Sequence, residues 1–156
     1  MAVHGVSRST RDLDLLALAP ECLDAATWAP LGASGVEVRI RRGDVDDPLA
    51  GAVRFTAPGE RPLDIVVGKR PWQEAVLARH GDAELEDVRV PVASSAGLIL
   101  LKLYAGGPQD AWDVAQLLEG PGRAALIAEV EASLDALPES ARHLWIQILG
   151  TGSRAS

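Results

Sequence analysis

Apolar and polar residues alternate strictly from Val36 to Arg42, with Val36, Val38 and Ile40 on one side and Glu37, Arg39 and Arg41 on the other. A period of two predicts a half-buried strand. Residues 11 to 17 read the same way, directing Leu13 and Leu15 into a core and Asp12 and Asp14 to the opposite face. Two more strands are predicted, around Ala52 to Thr56 and through Leu63-Asp64-Ile65-Val66-Val67, joined by the turn-forming composition of Ala57 to Pro62. Pro20 to Trp28 reads as a short helix with proline near its first turn, broken by the Gly-Ala-Ser-Gly run that ends at Gly35. Together these segments predict a mixed or antiparallel sheet.

Beyond the sheet the pattern becomes helical. Pro71 to His80 predicts a helix stopped by Gly81, and Glu86 to Pro91 a strand. Ser94 or Ser95 caps a helix through Tyr104, ended by Gly106-Gly107-Pro108. Gln109 to Glu119 forms the next, amphipathic helices follow at about 123 to 135 and 139 to 149, and Thr151 to Ser156 is expected to fray. The fold class is α+β (or α/β), a small mixed sheet flanked by helices. It is expected as one domain over 1–156, with a sheet-containing core at 1–93 and a helical portion at 94–150.

Composition narrows the function classes. The 156 residues suit one ordinary domain. A formal net charge of −7 argues against a broad nucleic-acid surface and leaves only a local basic patch open. A single cysteine, Cys22, excludes an internal disulfide and a cysteine-based zinc site, as suits a reducing, cytoplasmic setting. The polar first ten residues predict no signal peptide, and no apolar run nears the roughly 20 residues that span a bilayer, so no membrane partner is expected. P-loop, Gly-x-Gly-x-x-Gly, Gly-x-Ser-x-Gly and His-Glu-x-x-His patterns are all missing.

The chemistry centres on carboxylates. Asp12 and Asp14 sit at strand spacing between apolar residues, and Asp64 lies opposite Leu63 and Ile65 on another strand. Like charges on one face repel unless water or a cation lies between them, and a hard divalent ion with oxygen ligands, Mg²⁺ or Mn²⁺, suits them. Three carboxylates on neighbouring strands offer a site for phosphoryl chemistry. The plainer alternative is solvated surface for the pair and an exposed strand position for Asp64.

His4-Gly5, Arg8-Ser-Thr-Arg-Asp-Leu-Asp14, Leu63-Asp64-Ile65, Leu101-Lys-Leu-Tyr104 and Asp110-Ala-Trp-Asp113 follow one another in an order that resembles the nucleotidyltransferase superfamily of the DNA polymerase β type. The resemblance is to its small bacterial members related to abortive-infection and toxin–antitoxin proteins. It implies that Asp12, Asp14 and Asp64 are catalytic and metal-binding, positioning a nucleoside triphosphate for transfer to a protein, RNA or small-molecule acceptor. The family's Gly-Gly or Gly-Ser turn, which cradles the triphosphate, has no counterpart in Met1-Ala-Val-His-Gly5. Two readings follow: a Mg²⁺-dependent nucleotidyltransferase, or a non-catalytic interaction protein of the same fold, such as a toxin–antitoxin component with a small helical partner. The strand carrying Asp12 and Asp14 is expected to be central and short of cover, which would favour homo-oligomers.

Secondary candidates have more than one role open. Arg8 and Thr10 either orient a phosphate or brace the turn before the Asp pair. Lys102, inside an apolar helix, either snorkels to water, faces the carboxylates or a phosphate, or forms a structural ion pair with Asp110 or Asp113. Arg39, Arg41 and Arg42 are either a solvated strand face or a contact for an RNA end or an acidic partner. His4, His80 and His143 stand at no metal-ligand spacing.

Overall fold

The alternating segments form a four-stranded mixed sheet in a computed structural model that describes residues 13–47, 49–85 and 87–152. Strands β1 (Leu13–Ala17), β2 (Glu37–Arg42), β3 (Gly51–Thr56) and β4 (Leu63–Val67) lie in the spatial order β1-β4-β3-β2. β1 runs parallel to β4, and the other neighbours are antiparallel. A hairpin of β5 (His80–Leu85) and β6 (Val88–Ala93) forms a second sheet. The helices are α1 (Ala29–Ala33), α2 (Pro71–Ala78), α3 (Ser95–Ala105), α4 (Pro108–Leu117), α5 (Arg123–Leu134) and α6 (Glu139–Gly152), so the class is α+β. The chain divides into two compact units, one ending at Glu74 and the other continuing from Ala75.

In the first unit the core follows from the alternation. Val53 and Phe55 on β3 and Ile65 and Val67 on β4 are buried with Leu23, and Val38 and Ile40 of β2 pack against them. Trp28 closes one side, its ring edge-on to Phe55 at 4.8 Å between centroids, with its indole N–H donating to the Cys22 carbonyl at 2.7 Å. Ring and donor are therefore both satisfied in one position. The helix expected from Pro20 to Trp28 is instead two 3₁₀ turns, Pro20–Leu23 and Ala25–Trp28. The cause is Asp24, extended at φ −96°, whose carboxylate accepts from the Ala26 N–H at 3.0 Å and starts a new turn.

The expected central position of β1 is also corrected. The antiparallel run β2-β3-β4 returns β4 to its side, which leaves β1 at the edge among the described strands. Leu13 and Leu15 share the core face with Leu63 and Ile65, and each stays 42% exposed, with β4 the one strand beside β1 among the described residues.

In the second unit α3 is central, with α4, α5 and α6 packed around it. Ile99, Leu100 and Leu103 of α3 are buried, as are Val114, Leu117, Val130, Ala141, Trp145 and Ile148 on the surrounding helices. Ser94 caps α3 by accepting from the Gly97 N–H at 3.1 Å, and Gly106, left-handed at φ 71°, ends it. Strand β5 was not expected from the sequence, and β6 lies two residues later than expected, at Val88–Ala93. His80 to Leu85 alternates too weakly to announce a strand, and its pairing with β6 supplies the order. The last helix reaches Gly152 and so includes Thr151, while the rest of the tail expected to fray, 153–156, lies outside the described residues.

Gly51 provides a test of the first core. A Cβ there would overlap the Arg41 carbonyl oxygen and the Leu23 side chain, whereas one on Gly32 would meet nothing within 4 Å. Gly51→Ala is expected to lower unfolding stability in urea by about 1–3 kcal/mol, and Gly32→Ala to leave it within about 0.5 kcal/mol. Equal effects would contradict this packing.

Candidate functional site

Register places one charged residue from each strand of the first unit abreast on the polar face of the sheet. Asp14 of β1 pairs with Asp64 of β4, Asp64 with Arg54 of β3, and Arg54 with Arg39 of β2. Partners in register point to one side, and neighbouring strands lie about 4.8 Å apart. The row therefore runs acid, acid, base, base across the sheet. The opposite face carries Leu13, Leu63, Phe55 and Val38 at one level and Leu15, Ile65, Val53 and Ile40 at the next.

The charges along this row are partly matched. Arg54 Nε lies 3.1 Å from Asp64 Oδ1, with the Asp64 side chain 24% exposed. Arg39 turns to Glu37, at 2.8 Å through Nε and again through a terminal nitrogen. Arg42, one residue beyond Arg41, points the other way and donates to the Leu23 carbonyl, which gives it a structural role distinct from Arg39 and Arg41. Arg54 is the member the sequence reading missed. Its signal was available, because it alternates against Val53 and Phe55, but only the register sets it beside Asp64.

Asp14 and Asp64 are thus brought to one level on adjacent strands, as the reading of a shared carboxylate face requires. Asp12, Arg8 and Thr10 lie outside the described residues. Among the described residues, no group of three or more His, Cys, Asp or Glu side chains gathers into a metal-holding cluster. The donors that are described fit a hard cation in kind, being carboxylate oxygens on neighbouring strands.

Lys102 belongs to the second unit, and there the arrangement is explicit. Its ammonium lies 2.6 Å from Asp113 Oδ2 and 3.2 Å from Asp110 Oδ1, the structural ion pair being the one of its three expected roles with a visible partner. Asp113 is completely buried, and Gln109 donates to its other oxygen at 3.4 Å. Asp110 works twice: Oδ1 receives Lys102, and Oδ2 accepts from the Gly107 N–H at 3.1 Å, capping α4. The turn Gly106-Gly107-Pro108 and this triad fix how α3 meets α4. A buried carboxylate is tolerated when paired and costs stability when its partner is removed.

No family model matches the chain, and no curated protein is significantly similar to it. Among the described residues, no helix is long and apolar enough to cross a membrane.

Lys102→Met is expected to destabilise the protein by about 3–5 kcal/mol, because it leaves Asp113 buried without its ammonium. The double variant Lys102→Met with Asp113→Leu should recover part of that loss. A thermal or urea melt in which Lys102→Met costs less than about 1 kcal/mol would show that the pair is not what holds this helix junction.

Proposed function

We propose that the chain is a nucleotidyltransferase-like protein that holds Mg²⁺ or Mn²⁺ and a nucleoside triphosphate on the polar face of the first sheet. The observation that carries this reading is the parallel register that sets Asp14 beside Asp64 with Arg54 adjoining. Asp12, Asp14 and Asp64 would hold the ion. Bound there, the ion supplies charge that neutralises the triphosphate and favours attack at its α-phosphorus.

The residues themselves divide the remaining work. An acceptor hydroxyl attacks the α-phosphorus in line, the bond to the bridging oxygen breaks, and pyrophosphate leaves. A carboxylate oxygen of Asp64 takes the proton from the acceptor. Arg54, paired with Asp64, fixes the direction in which that carboxylate points. Arg8 and Thr10 are assigned to the phosphates, and the setting is cytoplasmic. The acceptor hydroxyl belongs to a protein, an RNA or a small molecule.

One observation favours the second reading, a non-catalytic protein of the same fold. The Arg54–Asp64 ion pair already balances one carboxylate without any cation. Calorimetry separates the two. Mg²⁺ or Mn²⁺ is expected to give binding heat with the native protein and none with Asp14→Asn, Asp64→Asn, because carboxylate charge offsets ion dehydration. Undiminished heat in the double variant would remove the metal site. Binding without transfer of labelled nucleotide to any acceptor in a cell extract would select the non-catalytic reading.

A further inference from the structure

One oxygen of Asp64 is already engaged. Arg54 Nε lies 3.1 Å from its Oδ1. The two residues are direct cross-strand partners on β3 and β4, and β3 has a strand on either side, so the pair is fixed by the same register that buries Val53 and Ile65. The Asp64 side chain is 24% exposed, which shields the pair in part from the water that loosens ion pairs on an open surface. A guanidinium and a divalent ion repel each other when crowded onto one carboxylate oxygen. An ion that leaves this pair intact therefore takes Asp64 through Oδ2 alone.

We infer, resting on the metal site proposed above, that Arg54 is a specificity-determining residue: by engaging Oδ1 it denies an ion the two-oxygen grip on Asp64 and makes the carboxylate face prefer Mg²⁺ over Ca²⁺. Ca²⁺ gathers about six to eight oxygens and commonly takes a carboxylate by both of them, whereas Mg²⁺ keeps an octahedral shell with several waters and one or two carboxylates. Loss of one Asp64 oxygen removes a ligand that Ca²⁺ needs and that Mg²⁺ replaces with water. The positive charge of Arg54 weakens both ions alike, so the preference comes from the engaged oxygen. Arg39 separates the two effects. It is the partner of Arg54 on β2, carries the same charge one strand further from Asp64, and is held by Glu37 at 2.8 Å.

Calorimetric titration of the whole chain with Mg²⁺ and, separately, Ca²⁺ tests the assignment. The native protein is expected to bind Mg²⁺ the more tightly. Arg54→Met should tighten Mg²⁺ about threefold through the lost charge, and should move the ratio of the two Kd values about tenfold toward Ca²⁺ through the freed oxygen. Arg54→Lys, which keeps a cationic donor opposite Asp64, should retain the native preference. Arg39→Met should leave the ratio within about twofold, because its charge is more distant and screened. The preference of the native protein is read without any variant, so the inference stays open to refutation if Arg54→Met unfolds. Native protein that binds Ca²⁺ as tightly as Mg²⁺, an equal gain for both ions in Arg54→Met, or an equal shift of the ratio by Arg39→Met overturns the role of Arg54 and leaves the metal site standing. Heat from neither ion, in the native protein and in Arg54→Met alike, removes the metal site and this role with it.

Discussion

Burial of one face of the first sheet is the constraint on which the candidate site depends. Val53, Phe55, Ile65 and Val67 are buried through strict alternation on two antiparallel neighbours. A slip of one residue between β3 and β4 would turn Ile65 and Val67 outward and drive Asp64 into the core. The charged row therefore needs no attraction of its own to stay aligned. Its two like-charge contacts, Asp14 beside Asp64 and Arg39 beside Arg54, are held together by the hydrophobic effect acting on the other side of the strands.

The second unit solves a different problem. Asp113 is buried on α4, and its cost is offset by the Lys102 ammonium and by Gln109. Because Asp110 shares that ammonium while capping its own helix, the ion pair, the cap and the Gly106-Gly107-Pro108 turn depend on one another. A lysine in the apolar helix α3 is thereby kept 15% exposed at its side chain and directed at a specific neighbour. The arrangement orders a helix junction and requires no ligand to do so.

Much of this was legible in the residues and some was not, for physical reasons. The strands β2, β3 and β4 and the caps of α3 follow from local alternation and from Ser94 and Gly106, each of which acts within a few residues. Asp14 and Asp64 could be placed on polar faces by the same logic. Strand order could not, because pairing is set by contacts distant in sequence, and so β1 fell at the edge of the described strands instead of the centre. The partnership of Arg54 with Asp64, the structural role of Arg42, and the 3₁₀ turns divided by Asp24 all depend on register or on a single side-chain hydrogen bond. The hairpin strand β5 owes its order to its partner β6 and has little pattern of its own.

The central claim is that the carboxylates on β1 and β4 form a cation site. Paramagnetic Mn²⁺, titrated at substoichiometric levels into uniformly ¹⁵N-labelled protein, reports the location of binding directly through broadened amide signals. The account predicts that residues 13–15 of β1 and 63–65 of β4 broaden first, and that Asp14→Asn abolishes this pattern. Broadening centred on another acidic group, such as Asp82, Glu84 and Asp87 of the hairpin, with β1 and β4 left sharp, would contradict it.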